Sequence, residues 1–418
     1  MKTARRCKLW LPRKNRFCAN IPLHDSLYCG NHNPKLEAQR ISCPLDPSHS
    51  IYRRKVKQHV KRCPFLKQPQ SFKLLEPFFK KGINGGRDFE EEEESFGAGN
   101  IVTPRTKRQA MYEMTVIEFY ELITKIEAAY ASIATSSDIQ ESFKEPQACK
   151  IWMNQEVERK KSYREKQVQH ASILGNLEEF GVLEDPTKLG CRTVSSDYAV
   201  VEFGAGRGYL SHALADCYGI RKADRRLRQK ESMVLERLRV DIEDLDLKAI
   251  ESLKGVPYLA VGNHLCGSAI DLILRCCLLP KQTTETRSGD TCNLRGLAVA
   301  TCCHHLCQWK HYINKSYLSD LGINKDDFHV ITSITNWDVC AAPGKSIEKK
   351  SCNKGVKEII HGMTEPEMAA LRSKCKAIID MGRLMWVKQL GGFTADIVKY
   401  VPSSISRENN LLVAKYMQ

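Results

Sequence analysis

Val200-Val201-Glu202-Phe203-Gly204-Ala205-Gly206-Arg207-Gly208-Tyr209-Leu210 reads as a buried strand, a glycine turn and the start of a helix. Glycines at alternate positions let a backbone approach a ligand closely and clear the packing of helix on strand. The helix is expected to continue over 210–217. Taken alone, the pattern also fits an ordinary tight turn between strand and helix.

Outward from this stretch, short β-branched or apolar runs alternate with helical segments. The strand candidates are 198–203, 239–242, 258–261, 296–300, 328–334, 393–400 and 411–416. Strands separated by helices predict an α/β fold with a largely parallel sheet. The last two read as an antiparallel hairpin. Residues 281–293 and 341–362 are polar and read as surface loops.

The turn has the spacing G-x-G-x-G rather than the G-x-G-x-x-G of nicotinamide sites. Glu202 stands two residues before the first glycine. An acid there suits a cofactor that has no pyrophosphate but an amino-acid end to hold, as in S-adenosylmethionine-dependent methyltransferases. Glu202, Gly204, Gly206 and Gly208 are therefore candidate cofactor residues. A second acidic element is Val240-Asp241-Ile242-Glu243-Asp244-Leu245. Asp241 could accept a hydrogen bond from an adenine amino group, or it could cap a helix.

Gly262-Asn263-His264-Leu265-Cys266-Gly267 follows the strand at 258–261, and Thr301-Cys302-Cys303-His304-His305-Leu306-Cys307 follows the strand at 296–300. In a parallel sheet the carboxyl ends of the strands form one rim, where ligands bind. Both clusters and the glycine turn are expected to converge there. His264, His304 and His305 are candidate general bases, because imidazole titrates near neutrality. The cysteines could instead be small thiols lining a pocket, or ligands of a metal.

The net charge is +15. Residues 1–70 hold sixteen Lys/Arg against three Asp/Glu, which is thirteen of those fifteen charges. Such a patch attracts polyanions, of which nucleic acid is the commonest, although a solubilising or nuclear-targeting arm has the same composition. The first residues lack a secretory signal, and no apolar run approaches the ~18–20 residues that cross a membrane. No membrane association is expected. An intracellular, reducing compartment is, so the 18 cysteines read as thiols or metal ligands.

Two Cys/His clusters sit in this basic region. Cys7, Cys18, Cys29 and His32 offer three thiolates and one imidazole, the donor set of a closed structural zinc site, with His24 as a substitute ligand. Cys43, His49, His59 and Cys63 form a second set, with His59 and Cys63 one helical turn apart. Segments this short cannot bury a core, and zinc would supply the missing folding free energy, on the order of 10 kcal/mol. The expected domains are zinc fingers at 1–36 and 40–67, a linker and helical segment at 68–145, and a catalytic domain at 146–418. Within the linker, residues 82–105 have no periodic apolar face. Helical periodicity runs over 107–134 and 146–183.

Together these motifs resemble a known family. The order is a C-C-C-H finger, a C-P-L-D-P…H…H-x-x-x-C finger, V-E-F-G-A-G-x-G, H-L-C-G, C-C-H-H-x-C and a late E-N-x-L-L strand. It is similar to the eukaryotic tRNA 2′-O-methyltransferases that act on the ribose of nucleotide four in the acceptor stem. The resemblance spans nearly the whole chain; the order of motifs is specific, and no single motif is. It implies a Rossmann-like methyltransferase domain behind two zinc fingers, S-adenosylmethionine and Zn2+ as cofactors, and tRNA as partner. Two departures stand out. The family has Lys where this chain has Asn263. Between Tyr218 and the charged segment 223–237 no strand-like run occurs, so a second Rossmann strand, about ten residues, is expected to be missing with its cofactor-binding acid. Asp224 is a poor substitute. Two further readings are a methyltransferase acting on protein or small molecules, and a tRNA-binding protein without activity.

Overall fold

The computed structural model describes residues 7–11, 16–18, 21–22, 24, 26–29, 40–42, 50–60, 76–86, 102–136, 139–154, 161–185, 198–218, 236–279, 293–336 and 355–417. The chain divides into two units, Met1–Glu76 and Pro77–Gln418.

Among the described residues of the first unit, two pairs of short strands form. β1 (Trp10–Leu11) pairs antiparallel with β2 (Arg16–Phe17), and β3 (Arg40–Ser42) with β4 (Ser50–Tyr52). A single helical turn, α1 (Val56–Val60), follows. The buried cluster around β1 and β2 consists of Cys7, Cys18 and Cys29, with Leu9 and Tyr28 packed on it. Sulfur takes the place an apolar core would have, as expected of a segment too short to form one.

The second unit centres on a five-stranded sheet of order β5-β6-β7-β9-β8. Its strands are β5 (Ala199–Phe203), β6 (Tyr258–Leu265), β7 (Leu294–Thr301), β8 (Phe393–Lys399) and β9 (Asn410–Tyr416). β5, β6 and β7 are parallel; β9 pairs antiparallel with both β7 and β8. Side chains alternate between faces along each strand. Leu259, Val261, Ala298 and Ala300 join one buried cluster, while Tyr258, Ala260, Leu297 and Val299 join the other. Both faces are covered, which is why these strands are apolar runs rather than alternating ones.

One face carries α4 (Gln147–Asn154), α5 (Lys161–Glu179) and α6 (Tyr209–Tyr218). The other carries α3 (Val116–Ser136), α7 (Ala269–Leu278), α9 (Lys325–Ile334) and α11 (Glu365–Gln389), with α2 (Pro104–Glu113), α8 (Lys315–Asp320) and α10 (Val356–Gly362) beside them.

Several expectations need correction. The periodic stretch 107–134 is two helices. α2 stops at Met114, whose backbone is extended. The amide of Thr115 then donates to Glu118 (2.7 Å) and that of Glu118 to the Thr115 hydroxyl (3.2 Å), which starts α3. Residues 328–334 are helical rather than a strand, because a capping box of Asn324 and Asp327 nucleates α9. Their β-branched run is buried helix, which periodicity alone does not separate from strand. Residues 239–242 form no strand; a 3-10 turn, Ile242–Asp244, starts there instead. Val356–Gly362, read as loop, is helix.

Residues 82–86, read as linker, pack tightly. The Asn84 amide donates to Ile242 O (2.6 Å) and Leu245 O (2.7 Å), and a Cβ on Gly86 would lie 1.8 Å from Lys310 O. The segment expected to lack a second strand, 219–235, lies outside the described residues. Among those described, β5 is an edge strand.

Candidate functional site

The glycine turn leaves β5 and enters α6. Gly204, Gly206 and Gly208 have φ of +62°, +52° and +72°. Three left-handed residues within five require glycine. A Cβ on Gly204 would also stand 2.8 Å from Leu265 Cδ2. Arg237 Nη1 donates to Gly206 O (2.8 Å), which ties the turn down. Glu202 accepts from the Ser211 amide (2.8 Å) and from the Ser211 hydroxyl. Its carboxylate thus anchors the first turn of α6. Asp241 is exposed and caps the 3-10 turn by accepting from the Glu243 amide (3.1 Å). That is the capping role its sequence context also allowed.

The parallel strands carry both His/Cys clusters to one rim, as β6 and β7 pair through Leu265 and Thr301. The three candidate histidines then separate. His264 is exposed and has φ +56°, the one non-glycine residue with positive φ among those described. A histidine held there stores backbone strain, which clusters at functional sites. Its Nε2 lies 2.7 Å from the Gln169 side-chain oxygen, and partial burial, reinforced by Lys166, lowers its pKa. With Nε2–H donating to Gln169, Nδ1 keeps a lone pair. Asn263 lies between Gln169 (3.5 Å) and the Tyr400 hydroxyl (3.4 Å).

His304 is buried, at 2 % exposure, and its Nε2 bonds Asp380 Oδ1 (2.8 Å). Asp380 also accepts from Arg383 (3.1 Å), the Thr301 hydroxyl (3.1 Å) and Asn410 (3.0 Å). Burial opposes its charge. His304 and Arg383 more than offset this and hold the carboxyl well below the usual carboxylate range. Arg383 in turn bonds Asp271 Oδ2 (2.7 Å), Gly267 O (3.2 Å) and Cys307 Sγ (3.3 Å). This closed network, of which His304 is a member, fixes both rim loops against α7 and α11. His305 is half-buried, with a pKa lowered by burial and then by Lys107. Lys107, on α2, donates to His305 O (3.2 Å), Cys307 O and Thr332 Oγ1 (3.0 Å).

The thiols of the two loops meet. Cys266 Sγ stands 3.7 Å from Cys302 Sγ, which stands 3.4 Å from Cys303 Sγ. The Cys302 thiol beside it lowers the Cys266 pKa to about 6. Beside the loops, a cavity of about 330 Å³ is lined by His304, Arg372, Lys376, Lys399, Arg407 and Glu408, among others. Four cations face one carboxylate there, a balance that suits an anionic ligand.

In the first unit, the ligand atoms of Cys7, Cys18 and Cys29 lie within 4.8 Å of one another. His24 is exposed, and His59 is half-buried on α1. His32, Cys43, His49 and Cys63 lie outside the described residues.

Sequence reading missed Gln169, Lys107, Asp380, Arg383 and Tyr400. For Asp380 and Arg383 a signal existed: both are charged within the apolar run Ile378-Ile379-Asp380-Met381-Gly382-Arg383-Leu384. The others carry no local signature, since these partners are 94 to 225 residues away.

Residues 168–415 match the family described as Methyltransferase TRM13, residues 5–33 the CCCH zinc finger in TRM13 protein, and residues 40–64 the U11-48K-like CHHC zinc finger. The tRNA:m(4)X modification enzyme TRM13 of Oryza sativa is 43 % identical over 225 residues, 52 % of this chain and 86 % of that protein. The TRM13 homolog of Mus musculus is 28 % identical across 98 % of this chain and 94 % of its own length. That of Saccharomyces cerevisiae is 23 % identical across 96 % and 94 %. No solved structure matches. A glycine turn and two His/Cys loops on one sheet rim, behind two matched finger domains, thus have a family to which they belong: the chain is a member of the TRM13 methyltransferase family, with a CCCH and a CHHC zinc-finger domain ahead of its methyltransferase domain.

Proposed function

We propose that this chain methylates the ribose 2′-oxygen of nucleotide four in the tRNA acceptor stem, with S-adenosylmethionine as donor and a Rossmann-like domain as catalyst. The observation that carries this reading is the meeting of the glycine turn and His264 on one sheet rim. It is supported by relatives named tRNA:m(4)X modification enzymes that align along 96–98 % of the chain.

Whether the residues fit the cofactor can be judged from the turn. The backbone at Gly206 is open: a Cβ there would meet nothing closer than Gly204 O at 3.8 Å. The Gly204, Gly206 and Gly208 backbone would hold the cofactor's amino-acid end, with Glu202 beside it. Bound there, S-adenosylmethionine supplies an electrophilic methyl group. The chain's own residues must orient the ribose and remove its proton. His264 Nδ1 is the acceptor we assign, since Gln169 occupies Nε2. His304 and Asp380 hold the loop, His305 follows it, and Asp241 is left as a candidate adenine contact. The basic cavity offers a place for the tRNA backbone.

The two fingers, with Zn2+ on Cys7, Cys18, Cys29 and His32 and on Cys43, His49, His59 and Cys63, would add phosphate contacts. A reducing, intracellular compartment would keep these thiols available.

The test is transfer of labelled methyl from S-adenosylmethionine to unmodified tRNA, followed by nuclease mapping of the label. Label at the ribose of nucleotide four is expected. Label on a base, or elsewhere in the tRNA, overturns the reading. A second reading is tRNA binding without transfer. It rests on β5 being an edge strand among the described residues, and tRNA bound with no label incorporated would favour it.

A further inference from the structure

The three rim thiols sit close enough to share one ion. Cys266 follows β6, and Cys302 and Cys303 follow β7. Their sulfurs are 3.7 Å (266 to 302) and 3.4 Å (302 to 303) apart, and all three ligand atoms lie within 4.8 Å of one another. Ligands about 2.3 Å from a tetrahedral zinc stand about 3.8 Å from each other. The observed spacing is close to that figure.

Adjacent residues in a strand point to opposite faces. Cys302 and Cys303 share a side because the strand has ended: Cys303 has φ −53° and ψ 85°, outside extended geometry. The arrangement is held by groups other than the thiols. The Gly267 amide donates to Cys303 O (3.1 Å), Arg383 holds Gly267 O, and the Gln308 amide donates to Ser268 Oγ (2.9 Å). A Cβ on Gly267, which has φ +59°, would lie 2.5 Å from Leu306 Cβ, so the two loops touch. Sulfurs held in place before an ion arrives need no loop reorganisation to bind it, and such supporting bonds tune affinity.

The geometry points to a third metal site, formed by Cys266, Cys302 and Cys303, that takes a soft tetrahedral cation of the Zn2+ class and leaves a fourth position for water or an outside donor. Thiolate ligands select Zn2+ or Cu+ over Mg2+ and Ca2+. Cys266 is exposed, which gives an ion a path in. Its three residues belong to neither finger cluster, and the site does not depend on the proposed activity.

Zinc bound per full-length chain, after removal of excess Zn2+, tests this. Parent protein, Cys266→Ser, Cys302→Ser/Cys303→Ser and the finger variant Cys18→Ser are compared, with circular dichroism as fold control. Cys266→Ser is expected to lose one equivalent, and Cys18→Ser combined with it a second. Because each loss is read against the parent, the number of ions held by the fingers does not enter. With Co2+ in place of Zn2+, the parent-minus-Cys266→Ser difference spectrum should contain a thiolate-to-cobalt band. Zinc content unchanged in Cys266→Ser overturns the assignment, and so does loss confined to a double variant that has unfolded. A flat cobalt difference spectrum, or a disulfide among the three in protein kept reduced, does the same.

Discussion

His264 joins chemistry and backbone in a single residue. Its φ of +56° belongs to the left-handed region, where Asn is tolerated best after glycine. His264→Asn therefore keeps the turn while removing a base that accepts protons near neutrality. General-base loss should lower kcat roughly 10²–10⁴-fold. Binding of S-adenosylmethionine, measured by calorimetry, should stay within about threefold, a difference of roughly 0.7 kcal/mol. Partial burial lowers the pKa of His264, so the neutral, proton-accepting form prevails above 6.5. The acid limb of kcat should accordingly lie below pH 6.5 and be absent in His264→Asn. A variant with the parent's kcat and the parent's pH profile would remove His264 from the reaction. The residue was legible in H-L-C-G, but so were His304 and His305. Only burial and the bonds to Gln169 and Asp380 separate the three.

At the scale of elements, α2 acts on the rim from outside the sheet. Its Lys107 crosses to the loop after β7 and meets two carbonyl oxygens and a hydroxyl in a buried setting. Burial lowers its pKa to about 8, with the Cys307 thiol opposing. Lys107→Met fits the apolar surroundings but leaves those acceptors unpaired, at about 1–3 kcal/mol for a buried polar group. The denaturant midpoint should fall accordingly, and the loop amides from His305 to Cys307 should exchange faster. An unchanged midpoint together with unchanged exchange would mean that α2 does not hold the loop. The helical character of α2 was legible from its spacing. Its role was not, because nothing local ties Lys107 to residues some 200 positions away. The misread strand at 328–334 has a related cause. A buried β-branched run suits either element, and the deciding Asn324–Asp327 box lies just upstream of it.

For the whole molecule, charge is the long-range term. Thirteen of the fifteen net positive charges lie in residues 1–70. Each phosphate contact adds about 0.7–0.9 to the slope of log K against log salt, depending on strand form. A chain lacking residues 1–68 should bind tRNA more weakly and with a visibly flatter slope. A slope equal to the parent's would place the phosphate contacts on the methyltransferase unit, where the cavity with Arg372, Lys376, Lys399 and Arg407 is the candidate. The sequence by itself determined the charge asymmetry, the Cys/His spacing of the fingers, the glycine turn and the β8–β9 hairpin. Each is written in neighbouring residues, through backbone freedom, ligand spacing or period. The tertiary structure alone decided which histidine is open, that Asp380, Arg383 and Lys107 lock the rim loops, and that Cys266 meets Cys302 and Cys303. Those contacts join residues far apart in sequence, and they exist only once a parallel sheet has brought its strand ends together.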